Sequence, residues 1–298
     1  MPFSNIDIRE NELWQTMPEV LEALLRDHTT QRNILWCTHD YESLGDGYGY
    51  AQEILPQLIT GDRGDIIRPR VLKSKEQQTD RAKDMAEVFT PSWICNAQNN
   101  LVDDALPDDM KWKDYVRLNC LEITCGEAPY LVSRYDTTTG KPIPLSERIG
   151  LLDRKLRLVS ENTKTSGEWF EWAQIAYMNT YGYEWQGDNL LLARETLLIS
   201  FIEYYQAKFG KVPTKKNILC IADIISWNLW QMDGLKGVVP DSCKNGVIEI
   251  VPSLFDDLEQ RIDCMGCQLD DIRRHNGTYC MIRDWENDKE LRFVDLIK

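Results

Sequence analysis

Long apolar runs are missing from this chain. The longest, residues 190–193 and 197–202, are interrupted by charge and far too short to cross a bilayer. Residues 1–10 carry neither a basic stretch nor an apolar core, which argues against a secretory signal. No internal repeat or low-complexity tract is visible, so a solenoid or a disordered tail is not expected. The nine cysteines are odd in number and lack the spacing of a disulfide-stapled secreted module, so a reducing, cytoplasmic setting is expected. Positive charge is also short, with 34 Lys and Arg against 48 Asp and Glu and a formal net charge of −14. Such a surface as a whole repels a phosphate backbone, and contact with nucleic acid needs a local basic face. Residues 63–83 are the best candidate, with Arg63, Arg68, Arg70, Lys73, Lys75, Arg81 and Lys83. A solvated linker or helix face is the plainer reading of that run.

What is present is the material of a core. Of 298 residues 43% are hydrophobic, with 10 Trp, 12 Tyr and 7 Phe, enough for one large or two ordinary folded domains. A helix is expected over 9–27 with Pro18 near an internal start, then turns at 45–49 and 61–64 and an edge strand at 65–72 tolerant of Pro69. A helical pattern runs from 75 to 102, broken at Thr90-Pro91. A strand at 117–123 leads through a turn at 124–129 into a helix reaching about Tyr135. Helices follow at 150–161 and 167–179, then a strand at 181–185. Residues 188–209 form the clearest helix, with Leu190, Leu191, Leu197, Leu198, Phe201 and Ile202 at helical spacing and Gly210 as the stop. An amphipathic helix covers 217–230, and short strands and loops follow Gly237. Strands alternating with helices predict a parallel α/β sheet. The chain divides into an N-terminal extension (1–75), a central α/β domain (76–240) and a cysteine-containing C-terminal segment (241–298).

Three segments carry chemistry. In Leu118-Asn-Cys-Leu-Glu-Ile-Thr-Cys-Gly-Glu-Ala-Pro-Tyr130 a buried strand turns sharply at Cys125-Gly126, where a doubly wound sheet holds nucleotide-like ligands. Without the full Gly-x-Gly-x-x-Gly pattern, an ordinary strand–turn–helix fits it equally. In Tyr181-Gly-Tyr-Glu-Trp-Gln-Gly-Asp-Asn189 a carboxylate, Glu184, ends a short strand, suited to accept both hydroxyls of a ribose. The third is Ala86-Glu-Val-Phe-Thr-Pro-Ser-Trp-Ile94.

Together these segments resemble the gamma-type exocyclic-amino DNA methyltransferases, the modification subunits of restriction systems. The resemblance covers roughly residues 75 to 235 with the elements in the family's order. It implies a partial Rossmann-like S-adenosylmethionine-dependent methyltransferase sheet. By that resemblance Phe89, Thr90 and Pro91 cradle the methionine end of S-adenosylmethionine, and Glu122, Thr124, Cys125 and Gly126 form the cofactor loop. Glu184 holds the ribose. Asp233, in Asn228-Leu-Trp-Gln-Met-Asp233, lies near the adenine amino group. The family's Asn/Asp/Ser-Pro-Pro-Tyr/Phe loop, which grips the flipped base, has no counterpart, because no two of the 12 prolines are adjacent. Glu127-Ala-Pro-Tyr130 is the nearest string and sits inside the cofactor turn. No Pro-Cys dipeptide offers the nucleophile of cytosine ring methylation. The family places the missing loop after the next strand, and residues 291–298 lie about where that strand is expected. The resemblance therefore implies the cofactor-binding subunit of a split DNA adenine-amino methyltransferase, with no catalytic residue of its own. A second polypeptide would bring the catalytic loop, and DNA would be met through the complex. The rival reading is a methyltransferase-like binding or regulatory protein without chemistry.

A separate signal lies near the end. Cys264-Met-Gly-Cys267 is a two-residue knuckle that suits one tetrahedral zinc, with Cys243 and either Cys280 or His275 completing the set. Free cytosolic cysteines are the alternative. Trp169, Trp172, Trp185, Trp227 and Trp230 read as core rather than as a platform for bases.

Overall fold

The computed structural model describes residues 10–84, 90–251 and 258–297. Two short helices, α1 (Glu10–Thr16) and α2 (Pro18–Leu25), open the chain. Pro18 takes the first position of α2, where its missing N–H costs nothing. The small hairpin β1 (Arg26–Asp27) and β2 (Arg32–Asn33) follows, its turn held by the Asp27 carboxylate, which accepts from the N–H groups of Thr29 and Thr30. No strand forms at 65–72. Residues 70–72 make a 3-10 turn instead, because the Arg70 N–H is taken by the Glu127 carboxylate rather than by a neighbouring strand.

Helices α3 (Lys75–Asp84) and α4 (Ser92–Asp104) flank the Thr90-Pro91 break, and α5 (Trp112–Val116) leads into strand β3 (Cys120–Glu122). The helix expected after the turn at 124–129 is absent. Thr124, Gly126 and Ala128 all hold positive φ, and the chain continues as turns until α6 (Leu151–Asn162). Then come α7 (Ser166–Met178), β4 (Thr180–Glu184), α8 (Gly187–Phe209), α9 (Lys215–Asn228) and β5 (Leu229–Gln231). Gly210 stops α8 in the left-handed conformation. The C-terminal part holds the hairpin β6 (Val247–Val251) and β7 (Leu258–Ile262), a short helix α10 (Met265–Leu269), and the hairpin β8 (Met281–Asp284) and β9 (Lys289–Arg292).

The organising feature is a three-stranded parallel sheet in the order β3-β4-β5, with Glu122 opposite Gly182 and Glu184 opposite Gln231. The molecule is thus mixed α/β, with helices in both crossovers. On one face the buried helix α8 packs against β4, β5, α2, α6 and α9. A single hydrophobic cluster runs from Leu13 through Ile67 to Leu229. The alternate residues of the strands, Tyr183 and Trp230, point the other way, into a smaller cluster with Met232, Val239, Cys280 and Ile282. Among the tryptophans, Trp169, Trp227 and Trp230 are buried and Trp172 packs against the main core.

The β5 edge of the sheet is covered. The Gln231 side chain accepts from Leu35 N–H at 2.7 Å and donates to Leu35 C=O at 2.8 Å, so residues of the N-terminal segment lie along it. At the other edge, β3 is bonded to β4 alone among the described residues. The basic stretch 63–83 is partly internal: Arg81 is 2% exposed and pairs with Asp188 at 2.9 Å, and Lys73 reaches the same carboxylate at 3.1 Å. Burial opposes ionisation of Asp188, but these two cations outweigh it and hold its carboxyl below the usual range. No helix among the described residues is long and apolar enough to cross a membrane.

Candidate functional site

A cavity of about 1220 Å³ opens at the carboxyl ends of β3 and β4, where a parallel sheet presents loop backbone and strand-end side chains to a ligand. It exceeds the ~300–1,000 Å³ of most small-molecule pockets. Thr90, Glu122, Thr124, Cys125, Gly126 and Glu184 all line it, although Thr90 is 94 positions from Glu184 in sequence. Phe89 lies outside the described residues. Pro91 starts α4 beside Thr90 but is not in the cavity lining.

The local fold explains the arrangement. Left-handed backbone at Thr124 and Ala128 is costly for residues with a Cβ, of order 1–3 kcal/mol each, and persists only where surroundings impose it. Three restraints do so here. Cys125 N–H donates to Tyr183 C=O at 2.9 Å, which ties the loop to β4. Gly126, at φ 53°, donates its N–H to Glu184 Oε2 at 2.8 Å. The Glu127 carboxylate turns inward to Tyr135 and the Arg70 backbone, so in Glu127-Ala-Pro-Tyr130 only Pro129 and Tyr130 reach the cavity.

Two carboxylates dominate the electrostatics. Glu184 accepts from Gly126 on one oxygen and from Gln186 N–H at 3.2 Å on the other. Glu122 accepts longer bonds from Tyr130 and Leu131 N–H groups, at 3.4 and 3.2 Å. Burial raises the pKa of both carboxyls against those N–H bonds, and for Glu122 the shift is well above the ordinary range, with Glu184 adding repulsion. Each carboxylate oxygen offers about two acceptor directions, so both groups keep capacity for hydroxyl or ammonium donors. Burial, Glu122 and Glu184 also raise the Cys125 thiol well above its usual pKa, which makes it an inert wall rather than a nucleophile. Asp241 adds a third carboxylate, and among the described residues no Lys or Arg lines the cavity.

Asp233 lies outside the cavity lining, with its carboxylate occupied in a turn. That carboxylate accepts from the Leu235 and Lys236 N–H groups at 3.0 and 3.2 Å and pairs with Lys236 Nζ at 3.1 Å. Trp185 is half-buried in the cavity wall rather than in the core expected from the sequence. The reading also missed His39, Tyr50 and Asp241, all of which line the cavity. For the first two the only local signal is the turn-rich Gly45-Asp-Gly-Tyr-Gly49 loop between them, and Asp241 has none.

The second cluster is Cys243, Cys264, Cys267 and His275, whose ligand atoms all lie within 4.8 Å of one another. His275 Nδ1 is 3.6, 3.5 and 3.6 Å from the sulfurs of Cys243, Cys264 and Cys267. A tetrahedral zinc with bonds of about 2.3 Å to sulfur and 2.0–2.1 Å to nitrogen implies S···N separations of about 3.5 Å. The donor set thus fits such an ion. Asn276 N–H approaches Cys264 Sγ at 3.4 Å, and the Tyr279 hydroxyl accepts from His275 N–H at 2.9 Å, fixing the loop. Gly266 is required for closeness: a Cβ there would stand 2.6 Å from His275 Nδ1. Burial would raise the Cys264 thiol, but hydrogen bonds from the Asn276 and Cys267 N–H groups and from His275 lower it to about 6, which favours a thiolate. Cys280 is not part of this cluster. It is buried in the smaller hydrophobic cluster, its sulfur 3.3 Å from Gln231 C=O, which corrects its candidacy as fourth ligand in favour of His275.

No family model, curated protein or solved structure matches this chain.

Proposed function

We propose that this protein is the S-adenosylmethionine-binding part of a DNA amino-methyltransferase of the restriction–modification kind, and that a second polypeptide supplies the catalytic loop. The observation that carries the reading is the cavity itself. Residues nominated from three separate segments of the resemblance, Thr90, Glu122, Thr124 to Gly126, and Glu184, line one space at the end of a parallel sheet. Its chemistry also narrows the ligand. Three acidic side chains, with no Lys or Arg among the described lining residues, offer a phosphate no cation and suit a nucleoside with hydroxyl and ammonium donors.

In this reading Glu184 accepts the ribose hydroxyls on the lone pairs left by Gly126 and Gln186. The cofactor, when bound, supplies a methyl group on a positive sulfonium. Glu122 and the Thr124–Gly126 loop hold its amino-acid end, and the site's contribution to transfer is orientation rather than acid–base work. A metal at the Cys3His cluster belongs to the architecture of residues 241–298, since four protein ligands leave no open position for chemistry.

Titration calorimetry of the purified chain with S-adenosylhomocysteine tests the reading. A saturable heat with unit stoichiometry and a rise in melting temperature are expected. No heat and no thermal shift at saturating ligand would sink it.

A further inference from the structure

Helix α4 separates the large cavity from a second cleft of about 460 Å³. Gln98, Asn99 and Val102 line the cavity, whereas Asn96, Asn100 and Asp103 line the cleft. The cleft is also walled by α6, where Arg154 and Arg157 stand three positions apart and so share a face. Arg148, from the loop before α6, is a third guanidinium in the lining. The large cavity holds no Lys or Arg among its described lining residues. In a chain of net charge −14, three arginines on one small cleft call for a cause.

Two of the three have structural partners. Arg154 pairs with Asp103, and its Nη2 donates to Asn96 Oδ1 at 3.0 Å and to Asn100 Oδ1 at 2.7 Å. Arg148 is 6% exposed and shares the Glu203 carboxylate with Arg134. Arg157 differs. It donates to Arg148 C=O at 2.5 Å, and among the described residues no carboxylate lies within ion-pair distance of it. Most of its N–H donors therefore remain. Arg154 also sets the two amides: their oxygens accept from it, which leaves the Nδ2 groups of Asn96 and Asn100 as donors. Asp103 is doubly engaged, accepting from Arg154 and from the Tyr115 hydroxyl at 2.8 Å. The remaining acid of the lining, Glu147, is exposed.

We propose that this cleft is a phosphate site, in which Arg157 meets the charge while the Asn96 and Asn100 amides and the Ser146 hydroxyl add neutral donors. Phosphate oxygens only accept, and a guanidinium fork beside several donors is the surface that matches them. Two sources carry that chemistry: the phosphate monoester of a small molecule and a backbone phosphate of nucleic acid. Neither depends on what fills the larger cavity.

The test is phosphorus NMR of inorganic phosphate titrated with the full chain at constant ionic strength. The wild type should broaden the signal saturably. Arg157→Gln should weaken binding by about tenfold, the lower range for a hydrogen bond to a charged group. Arg157→Lys, which keeps the charge but not the fork, should fall between the two. Glu147→Gln should tighten binding by about two- to threefold, the scale of one exposed charge. Melting temperatures near that of the wild type are the folding control for all three. Competition identifies the source. Displacement of phosphate by a nucleoside monophosphate but not by a short DNA duplex assigns the site to a small molecule, and the reverse assigns it to a nucleic-acid backbone. No saturable broadening by the wild type, or equal broadening by Arg157→Gln, would make the cleft a structural arginine cluster and overturn the proposal.

Discussion

At the scale of single residues, two carboxylates with opposite surroundings do different work. Asp188 is fully buried with Arg81, Lys73 and the Tyr41 hydroxyl around it, and its role is structural. Removing one member of such a pair leaves an uncompensated buried charge, so Asp188→Asn should lower unfolding stability by about 3–5 kcal/mol, measured by denaturant titration. A loss below 1 kcal/mol would mean that the network is not formed in solution. Glu184 has no cation within salt-bridge distance among the described pairs, and burial raises its pKa. A buried acid of that kind lining a cavity is a candidate ligand-binding group. Glu184→Ala should weaken S-adenosylhomocysteine binding by about 1.5–3 kcal/mol, as expected for loss of a hydrogen-bonded charge. The sign of the pH dependence follows from the direction of the shift. Because the carboxyl of the ligand-free protein holds its proton to a higher pH than an ordinary glutamate, acidification neutralises it early. Affinity for the cationic S-adenosylmethionine should therefore begin to fall at a pH above the ordinary glutamate range. The uncharged thioether of S-adenosylhomocysteine should show the smaller fall, and identical profiles for the two ligands would contradict the assignment.

At the scale of elements, the Cys3His cluster joins α10, the loop to His275 and the segment after Val239 that carries both Asp241 and Cys243. Elemental analysis of protein purified without chelator should find close to one zinc per chain. Cys264→Ser, Cys267→Ser or His275→Ala should lower that content, and Cys280→Ser should not. Gly266→Ala should lower it too, since the new methyl displaces His275. Metal-free but fully folded wild type would return these residues to ordinary thiols. The same elements show where sequence is readable. Helices α6 to α9 and strands β3 and β4 were legible because their signals are local: apolar period, caps, and Gly210 as a stop. The loop after β3 was not. Its left-handed residues are imposed by Tyr183 and Glu184 and by the seating of Glu127 on Arg70, partners 57 or more positions away. Arg81 looked solvated for the same reason, since Asp188 stands 107 positions on. Spacing gave Cys264 and Cys267, but His275 and Cys280 were equal candidates by residue type. The choice is made by Tyr279 holding one and the Gly237 and Gln231 carbonyls engaging the other.

At the scale of the whole molecule, the question is what the proposed cofactor cavity would need in order to act as a methyltransferase. The net charge of −14 opposes a phosphate backbone, and residues 63–83 commit Lys73 and Arg81 to Asp188 while Arg63, Arg68, Lys75 and Lys83 stay exposed. The absence of a Pro-Pro loop from the sequence leaves no group of the expected kind to grip a flipped base. The two edges of the sheet differ in a way that bears on both points. Leu35 lies along Gln231 at the β5 edge, whereas β3 exposes Leu121, the next residue Ile123 is exposed too, and no second strand pairs with β3 among the described residues. Unpaired backbone beside exposed apolar side chains is a surface that proteins ordinarily cover. A polypeptide that adds a strand there would end beside the same cavity, because Leu121 and Ile123 also line it. Edge pairing and catalysis would then arrive together, which is the physical content of a split enzyme. The expected outcome is that the purified chain binds S-adenosylhomocysteine yet transfers no labelled methyl group to mixed-sequence DNA. Transfer should appear when a chain carrying an Asn-Pro-Pro-Tyr loop is added, and Glu184→Ala should abolish it in the reconstituted mixture. Robust incorporation by the single chain, lost in Glu184→Ala, would overturn the split and direct attention to Pro129 and Tyr130, the members of the nearest catalytic-like string that face the cavity.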